Sequence, residues 1–164
     1  TDLERYELFG GELIDKMGKK WTHVIATAQT DRKLEALFGE EFVNQQAPID
    51  VAPKDNPSNE PEPDVIVLRR RSKEFENNPE PNDLVMVVEV SDTTLRHDLT
   101  TKAALYARAG IPEYWVLDLN GRRLLVRREP RDGRYQVELE FDEMQTVAPL
   151  EKPGEMVAVA SLLG

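Results

Sequence analysis

The chain has 164 residues, 40% of them apolar, enough for one domain with a real core, so residues 1–164 are read as a single unit. It has no cysteine, which excludes disulfides, thiolate metal ligands and a thiol nucleophile, and a cytoplasmic setting is expected. A net charge of −10 speaks against a wide nucleic-acid footprint, and no apolar run reaches the roughly 20 residues of a membrane span.

Residues 5–8 and 12–17 flank Phe9-Gly10-Gly11 and read as a hairpin. From 21 to 38 the apolar residues recur at helical spacing, and Gly39 is placed to cap that helix. A strand is expected near 42–51, then a loop over 53–63 with four prolines. Asp64 opens a short buried strand over 64–68, directly after Pro63. Residues 69–83 are polar and read as a surface loop.

The run Leu84-Val85-Met86-Val87-Val88-Glu89-Val90-Ser91 has the composition of a strand buried on both faces. Strict alternation puts Val85, Val87, Glu89 and Ser91 on one face and Met86, Val88 and Val90 on the other. Glu89 is the exception in this run, because a buried carboxylate costs several kcal/mol unless a cation answers it. It is either a ligand or catalytic acid held by a rigid strand, or an acid that emerges to meet a surface Arg or Lys.

A helix is predicted over 98–109, stopped by Gly110, and 113–119 is a further apolar strand. Strand, helix and strand from 84 to 119 make a crossover unit in a mixed sheet. Asn120-Gly121 signals a two-residue hairpin, 124–126 and 135–141 an antiparallel pair, and the tail carries short strands with a final apolar turn at 158–163. The whole reads as an α/β domain with a mixed sheet between two main helices and peripheral antiparallel hairpins.

Positive charge is local. Arg69-Arg70-Arg71 with Lys73 form one cluster, and Arg122, Arg123, Arg127, Arg128, Arg131 and Arg134 form another. Each reads as a set of solvated strand ends, with room to hold a short stretch of backbone phosphate. His23 reads as a surface residue or an indirect helper of the site, His97 as solvated, and Tyr106 and Trp115 as core. Asp118 is placed to cap the turn that follows it.

If the strands of Asp64 and Glu89 pair, two hard oxygen donors stand close together, in a pattern suited to Mg²⁺ or Mn²⁺. Leu99, Lys102, Tyr106 and Ala109 share one helix face, so Lys102 lies beside the packed side and can reach towards Glu89. The alternatives are an exposed lysine or one paired with Asp98.

Pro63-Asp64, Val88-Glu89-Val90-Ser91, Asp98…Lys102…Tyr106 and Gly110-Ile111…Glu113-Tyr114-Trp115-Val116-Leu117-Asp118, in this order, resemble the Uma-two-type restriction-endonuclease family of the PD-(D/E)XK nuclease superfamily. Tyr6-Glu7-Leu8, Gly11-Glu12-Leu13 and His23 match its opening. The resemblance implies a restriction-endonuclease-like fold and metal-dependent hydrolysis of DNA phosphodiester bonds, with a homodimer for double-strand cleavage. It implies that Asp64 and Glu89 bind the metal with the backbone carbonyl of Val90, that Glu12 approaches the metal or the water, and that Lys102 is the catalytic lysine. The motif's usual lysine, two residues after the acid, is Ser91 here, so Lys102 would fill that space from the helix. The alternatives are a nuclease fold that has lost its chemistry and serves as a binding or assembly module, and hydrolysis of a small phosphodiester.

Overall fold

The computed structural model describes residues 6–15, 20–51 and 55–164. Arg5, Lys16, Met17 and Pro53, which belong to the predicted hairpin and loop, lie outside them. Strands β1 (Tyr6–Phe9) and β2 (Glu12–Asp15) pair as an antiparallel hairpin. Helix α1 (Trp21–Phe38) ends where Gly39, at φ 99°, turns its N–H back to the Glu35 carbonyl, as its lack of a Cβ permits.

Six strands form the central sheet in the order β3-β4-β5-β6-β7-β8. They are β3 (Val43–Gln45), β4 (Val65–Leu68), β5 (Leu84–Ser91), β6 (Glu113–Asp118), β7 (Arg123–Arg131) and β8 (Arg134–Asp142). All neighbours are antiparallel except β5 and β6, which the helical crossover makes parallel. The mixed sheet between helices is the expected architecture.

The crossover begins at α2 (Leu95–His97), widens into a π-helical turn (Asp98–Lys102) and continues as α3 (Ala103–Ala109). Gly110, at φ 79°, stops it. The predicted helix over 98–109 thus starts three residues earlier, and its first expected turn is π rather than α. That turn is bounded by Asp98 and Lys102, both buried, and π turns inside helices occur frequently at functional sites.

The sheet is apolar on both faces. α1 and α4 (Ala160–Leu163) cover one, where Ala26, Leu34, Val65, Val88, Trp115 and Leu162 share a core. The crossover covers the other, against Ile66, Val87, Tyr114, Val116 and Leu125. Short strands β9 (Thr146–Val147) and β10 (Val157–Ala158) pair at the edge of the first layer.

Three expected boundaries move. β3 is three residues long rather than spanning 42–51, because Gln46 takes φ 48° and the following N–H groups turn to Pro61 and Pro79 carbonyls. The turn after β6 holds four residues, not two: Arg122 is left-handed, and the Gly121 N–H donates to the Asp118 carboxylate at 3.0 Å. Asp118 therefore caps that turn, as expected. The β4–β5 register slips between Val67 and Leu68, so Val85 packs with Met86 on the α1 face instead of with Val87.

Candidate active site

The slip lies upstream of Glu89 and leaves it on the crossover face. Val65 pairs with Val88, so one step further Asp64 stands opposite Glu89, and antiparallel partners share a face. The Asp64 N–H donates to Glu89 Oε1 at 3.0 Å, and the Val90 N–H donates to Asp64 Oδ2 at 2.7 Å. Both acids are nearly sealed from solvent, Glu89 at 2% exposure.

Lys102 comes to this pair from the end of the π turn. Its ammonium makes direct contact with Glu89 Oε2 and stands 3.2 Å from Glu7 Oε2 and 3.8 Å from Asp98 Oδ1. Glu7 is delivered by β1, which lies along the segment before Asp64. Leu8 and Glu60 exchange backbone hydrogen bonds, and the Glu62 N–H donates to Glu7 Oε1 at 2.7 Å. Asp98 is held by the Ser91 and Thr94 hydroxyls. Ser91, two residues after Glu89, is committed to Asp98, and the ammonium beside Glu89 is that of Lys102 on the helix.

Among the described residues three buried carboxylates (Glu7, Glu89 and Asp98) therefore meet one buried ammonium, with the buried Asp64 beside Glu89. Burial raises the Glu89 carboxyl well above the usual range. Lys102 opposes that rise, while Asp64, Asp98 and Glu7 add to it. Asp98 is raised by burial too, against Lys102 and its two hydroxyl donors. For Lys102, burial alone would favour the neutral amine, but Glu89, Glu7 and Asp98 overcome it and hold the charged form. Among the described residues more carboxylates than ammonium groups meet at Lys102, an arrangement that favours a cation.

A family model described as "Putative restriction endonuclease" matches residues 1–156. The chain belongs to the Uma2 family. Its fold is shared with a solved protein from Anabaena variabilis ATCC 29413, described as a "putative nuclease belonging to DUF820", with a TM-score of 0.73. The two are 14% identical, and the match covers 96% of this chain and 89% of that one. No curated protein matches the chain.

In this Uma2 chain the structure brings together Asp64, Glu89, Val90 and Lys102. Glu12 stands apart: it is exposed on β2, and among the described residues no contact joins it to the cluster. The acid that the hairpin contributes is Glu7, which alternates inward with Phe9 while Tyr6 and Leu8 are less buried. Nothing local in the sequence marks this, because Tyr6 and Leu8 read as the apolar face of the strand and Glu7 as the polar one. His23 is not a surface residue either. It is buried, its Nε2 lies 3.4 Å from Asp64 Oδ2 and its Nδ1 lies 3.4 Å from the Thr27 hydroxyl. His97 packs edge-on against Phe9, while Tyr106 and Trp115 are core as expected. The Tyr106 hydroxyl has no hydrogen-bond partner among the described residues.

The donors fit a hard divalent cation better than a soft one. Among the described residues no three His, Asp or Glu side chains form a ready cage, but Mg²⁺ asks only for one or two carboxylates and keeps several waters. Asp64 and Glu89 offer the carboxylates, and register offers a backbone oxygen. A strand residue points its N–H and C=O to the same side, so the Val90 carbonyl faces the edge where its N–H meets Asp64. The residue that register would set opposite it is Pro63, which has no N–H to give.

Proposed function

We propose that this chain is a metal-dependent endonuclease that hydrolyses DNA phosphodiester bonds at the Asp64–Glu89–Lys102 cluster. The observation that carries the reading is the meeting of three buried carboxylates on Lys102, with Asp64 beside Glu89, next to a strand edge that ends at a proline. Asp64, Glu89 and the Val90 carbonyl would hold Mg²⁺, with Mn²⁺ as a substitute. When bound, the ion supplies the Lewis acid that polarises the scissile phosphate and acidifies a water. His23 and the Val90 N–H fix the Asp64 carboxylate in one orientation. Lys102 stays an ammonium and offsets charge on the phosphate in the transition state. Glu7 and Asp98 pin that ammonium, since three acids from separate elements leave its stem little freedom. Cutting both strands requires two such sites, which a homodimer supplies.

The test is Mg²⁺- or Mn²⁺-dependent conversion of supercoiled plasmid to nicked and linear forms. Asp64→Ala and Glu89→Ala should each abolish it, and EDTA should do the same to the unaltered protein. Cutting that survives both substitutions refutes the site. A second reading, a nuclease fold retained as a binding or assembly module, is favoured by one observation: both Glu89 oxygens are already engaged, by the Asp64 N–H and by Lys102. Titration calorimetry with Mn²⁺ separates the two, since that module takes up no metal.

A further inference from the structure

A cleft of about 570 Å³ lies between the crossover and the β7–β8 hairpin, lined by Leu99, Thr100 and Ala103 on one wall and Arg127, Arg134 and Gln136 on the other. Its helical wall comes from the segment that holds Lys102. The arginines of the hairpin fall into two groups. Arg122, Arg123 and Arg128 each have a carboxylate oxygen at 2.5–2.8 Å. Arg127 does not, although its side chain is only 13% exposed. It makes one hydrogen bond, 3.4 Å long, to the Val126 carbonyl, and the nearest Glu138 oxygen stands 3.9 Å away. Arg134 is exposed, and no carboxylate pairs with it among the described residues.

Among the described residues Arg127 makes a single long hydrogen bond to protein, and none of its nitrogens is buried without a partner, so most of its five N–H donors turn to solvent in the cleft. The polar neighbours do not take up those donors. The Thr100 hydroxyl is committed to the Arg96 carbonyl, and the Gln136 amide to the Arg131 and Arg134 carbonyls. The cleft thus holds two cations with few protein partners, of the kind whose planar fork fits phosphate oxygens, and one acid, Glu138, 3.9 Å from Arg127. In a chain of net charge −10 such a pair is a local exception.

Register relates the cleft to the acid cluster. Arg127 pairs with Tyr114, which lies beside Val87, two residues before Glu89. Arg127 thus shares the sheet face of Glu89. With strands about 4.8 Å apart and about 3.3 Å per residue, the two backbones are about 12 Å apart. We infer that the cleft binds a phosphodiester group of the nucleic-acid strand, away from the bond that is cut, through Arg127 and Arg134. The inference rests on the nuclease reading above for its substrate.

Two measurements keep the claims apart. Fluorescence anisotropy with a short fluorescein-labelled DNA duplex in EDTA reads binding without cutting. Metal-dependent hydrolysis of bis(p-nitrophenyl) phosphate, too small to span to the cleft, reads the acid cluster. Arg127→Gln and Arg134→Gln should each weaken duplex binding severalfold and lower the slope of log K against log salt by about 0.9. Glu138→Gln removes the competing carboxylate and should tighten it. All three should hydrolyse the small diester like the unaltered protein. If Arg127→Gln fails to fold, as read by circular dichroism, the exposed Arg134 and Glu138 variants carry the test alone. Absence of duplex binding, or equal affinity and salt slope in Arg134→Gln and Glu138→Gln, overturns the cleft. Absence of diester hydrolysis by the unaltered protein overturns the nuclease reading instead.

Discussion

Replacing Lys102 by Met keeps the stem and removes the charge. The substitution leaves Glu89, Glu7 and Asp98 buried around an empty centre. Removing one partner of a buried pair costs about 3–5 kcal/mol, because the remaining charge has neither water nor counter-ion. At 2–4 °C per kcal/mol for a chain of this size, the melting temperature should fall by roughly 10 °C in EDTA. The loss should depend on pH, and its sign follows from the carboxyl pKa values. Glu89 is already raised in the folded state, and without Lys102, which opposes that rise, it rises further. A carboxyl raised on folding destabilises increasingly as pH climbs above its unfolded value, and acid relieves it. Both proteins lose stability alike until pH passes the raised Glu89 carboxyl of the unaltered protein; above that point the gap between them should widen, and towards the acid end it should close. Lys102→Met with Glu89→Gln should recover part of the loss, since a neutralised pair is cheaper than a broken one. Urea denaturation at several pH values gives these quantities directly. A Lys102→Met protein as stable as the original, with a parallel pH profile, would show that the ammonium is solvated and refute the electrostatic basis of the site.

Other expectations follow from neighbouring contacts. Glu7→Gln should reduce plasmid cutting at least tenfold, about the 1.4 kcal/mol that loosening one charged contact to Lys102 represents, whereas exposed Glu12→Gln should cut normally; the reverse order would return the role to Glu12. Glu113 is buried and accepts from Trp115 Nε1, the Leu150 N–H and Arg128, so Glu113→Ala should cost about 3–5 kcal/mol in thermal denaturation. An added Cβ at Gly121 would clash with Asp118 Oδ2, and Gly121→Ala should cost about 1 kcal/mol by displacing that cap, measured by urea midpoint.

Much of the fold is legible because hydrophobic period and turn chemistry agree over long stretches. The buried runs over 65–68, 84–91 and 113–118, and the glycines that end both helices, needed no tertiary information. Glu89 was visible as an acid in an apolar strand, and its pairing with Asp64 followed once those strands were neighbours. The remainder depended on docking. Glu7 meets Lys102 across 95 positions of sequence, as hairpin and helix close on the same strand end, and nothing local announces that. Likewise, His23 looks like an ordinary residue of a helix start until Asp64 arrives beside it. The shortened β3 and the slip at Val85 arise from single backbone angles and from neighbours outside the strand. The π turn is equally opaque, because its residues are individually good helix formers or neutral, and only the two buried polar groups at its ends mark it.

Pro63 has a consequence for how the site stays open. Sheets tend to zip, and a residue with an amide hydrogen at this place would let β4 grow by one more rung along β5. That rung would consume the main-chain oxygen of Val90 and seal the strand edge against ligands. One imino acid thus acts as a doorstop, forgoing a hydrogen bond of the scaffold at the Val90 oxygen.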